Sequence, residues 1–147
     1  MNTEWIAPHR SMGKAEDAMI LLARLLLAAL FLLFGWNKLM DVSGTTAYMD
    51  QLGVPASELA AMAAAAIELG AGAALVAGLW TRPVACLLGI YAVVAGLVGH
   101  PYWATEGAQQ YADTVNFYKN LCIAGGSLLL LVTGPGRYAL DARRRPT

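Results

Sequence analysis

Four long apolar segments, separated by short polar connections, dominate the pattern of the chain. They lie at about 18–38, 56–79, 83–100 and 117–133. Each has close to the ~20 residues that a helix needs to cross roughly 30 Å of hydrocarbon. Apolar residues surround almost the whole circumference of each helix, as is typical of helices with no side in water. The pattern predicts an all-α fold, an integral membrane four-helix bundle, as one membrane domain over residues 1–147.

The composition agrees with a membrane protein. Hydrophobic residues make up 58% of the chain and charged residues 14%, whereas soluble domains have about 45–50% and about 25%. Soluble amphipathic helices would need polar faces that these segments lack. A cleaved signal peptide would need small residues after the first leucine run, where the chain has WNKLMD. We therefore interpret the first segment as a retained span.

Positive charges are distributed unevenly among the connections. Cations precede span one, occupy the turn between spans two and three, and follow span four; they are Arg10, Lys14, Arg82, Arg137, Arg143, Arg144 and Arg145. The other connections, about 39–55 and 101–116, are mainly acidic. The positive-inside rule then predicts that both termini are cytoplasmic. The expected location is the cell inner (plasma) membrane, with residues 134–147 as a cytoplasmic tail.

Two charged residues lie well inside the apolar segments, away from their ends: Arg24 in span one and Glu68 in span two. An unpaired charge in hydrocarbon costs at least about 2.5–3.5 kcal/mol, so such residues face the bundle interior and find partners. Their similar depths on antiparallel neighbours predict a buried Arg24–Glu68 ion pair. The alternative is that Glu68 is a proton-relay or ligand-binding acid.

The faces that carry these two residues are rich in small side chains. Span one has a stripe of Arg24, Ala28, Phe31, Gly35 and Lys38, and span two has Ala61, Ala65, Glu68, Gly72 and Leu75. Small residues let helix backbones approach closely in a membrane. We expect the two faces to pack against each other.

A second group of polar and aromatic residues is predicted near the outer surface. It comprises Asn37, Lys38, His100, Tyr102, Trp103, Lys119 and Asn120. These side chains are candidates to line a small cavity under an aromatic loop, suited to an aromatic or isoprenoid ligand. The alternative is an interfacial cap, since Tyr and Trp favour the membrane boundary and lysines extend toward it.

The chain has no recognisable redox or nucleotide site of its own. Cys86 and Cys122 are its only cysteines and form no CxxC, and two dispersed histidines give no metal or haem ligand set. The basic tail DARRRP favours contact with anionic lipid heads over nucleic acid. Any redox chemistry therefore requires a bound organic molecule such as a quinone, or a partner subunit.

Five short motifs follow one another along the chain: Arg24 in span one, Gly35 and Lys38 at its end, the ELGxG of Glu68 to Gly72, the KNL of Lys119 to Leu121, and GPGRYALD from Gly134 to Asp141. In this order and spacing they resemble the DoxX family of small four-helix membrane proteins. The resemblance implies a link to quinone-linked sulfur oxidation, membrane oxidoreductase complexes or oxidative-stress defence. It supplies no agreed catalytic residue.

The leading hypothesis is an accessory or quinone-interacting subunit of a membrane oxidoreductase system, not a stand-alone enzyme. A quinone is the cofactor that this hypothesis expects, with no metal and no covalent group. The expected partners are the lipid bilayer, a membrane or soluble oxidoreductase and further copies of the chain. The alternatives are a non-enzymatic scaffold and, less consistent with four spans, a small transporter of lipid or another hydrophobic molecule.

Overall fold

The computed structural model describes residues 13–143. Its elements are α1 (Lys14–Met40), α2 (Val42–Gln51), α3 (Ser57–Ala77), α4 (Thr81–Gly99), a 3-10 turn (Tyr102–Ala104), α5 (Gly107–Thr133) and α6 (Leu140–Arg143). No strand occurs among the described residues. Helices α1, α3, α4 and α5 are each long and apolar enough to cross a membrane. The predicted all-α membrane bundle is confirmed.

The helices extend beyond the apolar segments that revealed them. Helix α5 begins at Gly107, ten residues before the predicted span, because the polar stretch from Ala108 to Asn116 continues the helix. The connection predicted over 39–55 contains helix α2, whose N-terminus is capped by the Asp41 carboxylate, which accepts from the Gly44 N–H at 2.8 Å. Hydropathy locates the part of a helix that lies in hydrocarbon, but it does not detect the polar helical turns that extend beyond the membrane.

The bundle consists of two closely packed helix pairs, α1 with α3 and α4 with α5, which meet around a small apolar core. Glycines bring the first pair together. A Cβ added at Gly35 would lie 2.9 Å from the Glu68 Cβ and 3.0 Å from the Leu69 backbone nitrogen, and one at Gly72 would lie 2.9 Å from the Leu32 Cγ. These contacts set the register in which α1 and α3 run past each other.

Large apolar side chains cover the outside of the bundle, as expected for helices surrounded by lipid. Exposed aromatic residues lie toward the two ends. Trp36, Trp103, Tyr111 and Tyr118 lie at the end that carries α2, here called the α2 end, and Trp80 and Tyr138 lie at the opposite end, here called the terminal end. Tyr and Trp concentrate at both membrane–water boundaries, so these rings mark the two interfaces.

The chain after α5 folds back onto the terminal end of the bundle. Gly78, at φ 67°, ends α3, and Trp80, at φ 48°, precedes α4. The Asp141 carboxylate accepts hydrogen bonds from the N–H groups of Trp80 at 2.9 Å and Thr81 at 2.8 Å. It therefore caps the first turn of α4. The segment predicted as a tail is part of the fold up to residue 143, and Arg144 and Arg145 lie outside the described residues.

Replacing Asp141 by alanine is expected to lower the free energy of unfolding by about 1–2 kcal/mol, since two backbone donors lose their acceptor. Thermal unfolding of the detergent-purified protein measures the effect. The control is Glu106→Ala, because Glu106 is an acidic residue directly before α5 whose side chain makes no capping hydrogen bond. Equal melting temperatures for the two variants would contradict the capping role of Asp141.

Candidate functional site

Arg24 is fully buried, and its hydrogen bonds within residues 13–143 all go to backbone carbonyls at the terminal end. Its Nε donates to the Leu75 carbonyl and its Nη2 to the Val76 carbonyl, both at 2.9 Å. Its Nη1 donates to the carbonyls of Pro135 at 2.8 Å and Tyr138 at 3.0 Å. The last carbonyls of a helix lack partners within the helix and carry a partial negative charge. The guanidinium thus closes the end of α3 and holds the segment after α5 against it.

Glu68 lies near the middle of α3 and is bound by side chains from two other helices. Both of its carboxylate oxygens are 2.9 Å from the Lys38 Nζ of α1. The Tyr91 hydroxyl of α4 donates to Oε1 at 2.5 Å. The Glu68 side chain is 6% exposed and that of Lys38 is 22% exposed. We call Lys38, Glu68 and Tyr91 the carboxylate cluster.

The predicted Arg24–Glu68 ion pair is wrong. Gly35 contacts Glu68 where α1 and α3 cross, and Arg24 is eleven residues away from Gly35, about 16 Å along the helix. Arg24 therefore reaches Leu75, which is seven residues, or about 10 Å, beyond Glu68. Lys38, predicted to face a polar cavity, turns toward the carboxylate instead.

The carboxylate cluster combines three protonatable groups with different chemistry. An ammonium and a phenol donate hydrogen bonds, and a carboxylate accepts them or takes up a proton. Lys38 is the more exposed partner of the ion pair, and its Nζ also lies 5.7 Å from the centre of the Phe34 ring. Such a cluster can bind the polar head of a hydrophobic molecule or store a proton within the membrane.

Tyr91 was not a candidate from the sequence. It lies in the span without charges, between Ile90 and Ala92, where an aromatic residue is ordinarily part of the core. Its ring does pack edge-on against Phe31, with centroids 6.2 Å apart. The sequence did contain a signal for this contact: Tyr91 places a hydroxyl in the middle of one span, and the preceding span contains a single mid-span acid, Glu68, that needs a donor.

The residues predicted to line an outer cavity lie in several places at the α2 end. The His100 Nδ1 is 3.4 Å from Oδ1 of the buried Asp113, which also accepts from Gln109 at 3.1 Å. The rings of Tyr102 and Trp103 pack on each other with centroids 5.1 Å apart. The remaining members are Asn120, which faces Gly96, Lys38 in the carboxylate cluster, and Asn37 and Lys119, which are exposed.

A surface cavity of about 410 Å³ lies at this end, between α2 and the start of α3. It is lined by Val42, Ser43, Thr46, Ala47, Asp50, Ser57 and Glu58. None of the residues predicted to line a cavity contributes to it. A cavity under the aromatic loop stays a prediction.

Tyr48 connects α2 to the end of α4. Its hydroxyl donates to the Gly99 carbonyl at 2.6 Å. Partial burial raises the pKa of Tyr48, and the negative charge of Asp113 raises it further. Among residues 13–143, no group of His, Cys, Asp and Glu side chains is arranged to hold a metal ion.

Comparison with known proteins places the chain in a family. The DoxX family profile matches residues 19–101. The chain belongs to the DoxX family. Inner membrane protein YphA of Escherichia coli K12 is 40% identical to it over 131 residues, which cover 89% of this chain and 94% of the relative. Inner membrane protein YqjF of the same organism is 38% identical over 130 residues, covering 88% and 95%.

A more distant similarity is to the Surfeit locus protein 4 homolog of Schizosaccharomyces pombe, which is 28% identical over 81 residues, or 54% of this chain and 27% of that protein. No solved structure matches the chain significantly. The two bacterial relatives are inner membrane proteins. With four apolar helices, this DoxX protein is a multi-pass membrane protein.

Four of the five motifs by which the chain resembles DoxX proteins converge in the structure on two clusters, and the KNL motif of Lys119 to Leu121 lies outside both. Gly35, Lys38 and Glu68 meet in the carboxylate cluster. Arg24 meets the segment Gly134 to Asp141 at the terminal end. The DoxX pattern in this chain therefore describes two polar interactions that hold the helices together, at two different depths.

Tyr91→Phe is expected to lower the free energy of unfolding by about 1–2 kcal/mol, because it removes a hydrogen bond to a charged, buried acceptor. The Phe ring keeps the contact with Phe31. Tyr118→Phe is the matched control, since Tyr118 is 54% exposed on α5. If both variants unfold at the temperature of the parent protein, the Tyr91–Glu68 bond does not stabilise the bundle.

Proposed function

We propose that this DoxX protein is an accessory membrane subunit that binds the head group of a quinone-type molecule for an oxidoreductase partner. The observation that carries the proposal is the carboxylate cluster, which places a protonatable acid and two hydrogen-bond donors inside a bundle of lipid-facing helices. The family resemblance to proteins of membrane redox systems supports the same role. The chain supplies binding and protons, and the partner supplies the redox centre.

The chemistry of the cluster suits both redox forms of such a ligand. The carbonyl oxygens of a quinone accept hydrogen bonds, which Lys38 and Tyr91 can donate. The hydroxyl groups of a quinol donate hydrogen bonds and release protons, which the Glu68 carboxylate can accept. A lipid-soluble ligand would replace part of the Lys38–Glu68 contact, and the partial exposure of Lys38 lets its side chain move aside.

Purified protein in detergent provides the test. We expect quinone to co-extract with the parent protein and a soluble short-chain quinone to raise its melting temperature through ligand linkage. Glu68→Gln and Tyr91→Phe should reduce both effects, whereas Tyr118→Phe and Glu106→Gln, which change exposed residues, should not. Absence of bound quinone together with no thermal shift at saturating analogue would refute the ligand.

We also propose that both termini lie in the cytoplasm. The support is the charge distribution: Arg82, Arg137 and Arg143 lie at the terminal end, and the connections at the α2 end are mainly acidic. Reporter fusions after residue 147 and within the connection near Trp103 should report opposite sides of the membrane. A cytoplasmic signal from the connection near Trp103 would overturn this orientation.

A scaffold is the second candidate function, and one observation favours it. The lipid-facing side of α3 carries a row of small exposed residues, Ala63, Ala66, Gly70 and Ala73, and a Cβ at Gly70 would meet no atom within 4 Å. Such rows allow close approach of a further helix. If this row binds a second copy, Gly70→Leu should dissociate an oligomer seen by size and cross-linking while the monomer remains folded. An unchanged oligomeric state would exclude this face.

A further inference from the structure

The terminal end of the bundle carries exposed arginines that no carboxylate neutralises within the described part of the chain. Among residues 13–143, the carboxylates that contact a basic side chain are Glu68, paired with Lys38, and Asp113, beside His100, both at or toward the α2 end. The Asp141 carboxylate, close to the arginines in sequence, accepts from the backbone of Trp80 and Thr81. Two of the arginines, Arg82 and Arg137, therefore present cationic groups to a ligand or to solvent.

Arg82 is held in a defined position. Its Nη2 donates to the Val132 carbonyl at 3.4 Å. Its guanidinium lies against Gly134, where an added Cβ would be 3.2 Å from both Nε and Nη2. Because Gly134 has no side chain, the guanidinium lies directly on the backbone at the end of α5. A guanidinium has five N–H donors, so most of them remain for an anion.

Arg137 lies on the same segment that the Arg82 guanidinium contacts at Gly134. Its backbone N–H donates to the buried Asp17 carboxylate at 2.9 Å, and its guanidinium lies 5.6 Å from the centre of the Tyr138 ring. Arg137 is three positions after Gly134 in the chain, which limits the distance between their Cα atoms to about 10–11 Å. Both guanidinium groups can therefore reach a single lipid head group.

Apolar and aromatic side chains surround these arginines at the depth of a membrane interface. Trp80, Tyr138 and Leu140 are 66%, 47% and 40% exposed. Trp and Tyr prefer the level of the lipid head groups, and the planar fork of a guanidinium matches the oxygens of a phosphate. We propose that Arg82 and Arg137 bind the phosphate of an acidic phospholipid, whose acyl chains lie against Trp80 and Leu140. This site is independent of the carboxylate cluster and of its proposed ligand.

The test compares lipids added to the purified protein in detergent. Phosphatidylglycerol should raise the melting temperature, since a ligand of the folded state stabilises it. Phosphatidylcholine with the same acyl chains should give a much smaller shift. Arg82→Gln and Arg137→Gln should each raise the phosphatidylglycerol concentration for half-maximal shift about fivefold, and both together on the order of 25-fold, given the free energy of a cation beside anionic lipid.

Two controls identify the site and the source of the phosphate. Lys119→Gln, which removes an exposed cation from the half of α5 that is nearer the α2 end, should leave the response to phosphatidylglycerol unchanged. Inorganic phosphate at the same concentration should give no shift. The proposal is overturned if the double arginine variant keeps the parent response, if phosphatidylcholine acts equally, or if phosphate alone reproduces the effect. Should the double variant not fold, Arg137→Gln decides, because the Arg137 side chain packs on the Tyr138 ring and forms no hydrogen bond or ion pair within residues 13–143.

Discussion

Replacing Arg24 by alanine is expected to cause the largest loss of stability of any single substitution in the bundle, about 3–5 kcal/mol. The side chain is fully buried and donates to four carbonyls from two separate segments of the chain. Hydrogen bonds from charged donors contribute about 1.5–3 kcal/mol each, and a buried acceptor left without a donor is costly. A substitution that also leaves a cavity belongs to the most destabilising class.

Arg24→Lys separates the loss of geometry from the loss of charge. A lysine has three donors on one nitrogen and lacks the planar fork of arginine. It therefore cannot bind the carbonyls of α3 and those of the segment after α5 at the same time. We expect it to retain less than half of the stabilisation. Thermal and denaturant unfolding in detergent measure both variants, with Arg82→Ala as control, an exposed arginine at the same end. Parent-like stability of Arg24→Lys would show that the carbonyl contacts contribute little.

Substitutions at Gly35 are expected to have the second largest effect, because α1 and α3 approach each other closely at this residue. A Cβ there would lie within 2.9–3.0 Å of Glu68 and Leu69, including the Leu69 backbone. Backbone atoms cannot move aside as a side chain can, so the helices must separate. Overpacking of this kind costs typically about 1–3 kcal/mol, and we expect Gly35→Ala to lie in that range and Gly35→Val to exceed it.

The matched control is Gly70→Ala on α3. The Gly70 position faces open space, and an added Cβ meets no atom within 4 Å. The substitution should leave stability unchanged or raise it slightly, since alanine is the better helix former. Separation of α1 from α3 should also disturb the Lys38–Glu68 contact beside Gly35. Equal melting temperatures for Gly35→Ala and Gly70→Ala would show that the helices are not in close contact there.

The sequence was sufficient to predict which faces of the first two spans are buried. Arg24, Ala28, Phe31 and Gly35 are all buried on α1, and the predicted stripe of α3, from Ala61 to Leu75, is buried in full. This success has a simple cause. A face is set by the helical repeat, so it depends only on spacing within one segment and not on the relative positions of two helices.

Pairing between helices could not be predicted in the same way. It depends on where each helix begins and on the register at which two helices cross, and hydropathy determines neither. Helix α1 begins at Lys14, before the predicted span, and Gly35 and Gly72 set a register that separates Arg24 from Glu68. The partners of Arg24 are carbonyls, which every residue has. Sequence patterns therefore could not distinguish them from other acceptors.

The contacts of Lys38 and of the chain after α5 show the same limit. A lysine near a helix end ordinarily extends toward the interface, but here a buried carboxylate lies within reach and binds its ammonium. The Gly134–Asp141 segment was predicted as a tail, whereas its carbonyls and the Asp141 carboxylate complete the ends of α3 and α4. Backbone groups at the ends of neighbouring helices lack partners within those helices, and the polar segment after α5 folds against them because it supplies such partners.

The measurement that most directly tests the account is a pair of double-mutant cycles on unfolding in detergent, one for Lys38 with Glu68 and one for Arg24 with Glu68. Lys38→Met, Glu68→Gln, Arg24→Met and the two double variants are sufficient. Residues in direct contact couple by about 0.5–3 kcal/mol, whereas distant residues are additive. We predict coupling in that range for Lys38 with Glu68 and additivity for Arg24 with Glu68. Strong coupling of Arg24 with Glu68, and none of Lys38 with Glu68, would contradict the pairing of Glu68 with Lys38.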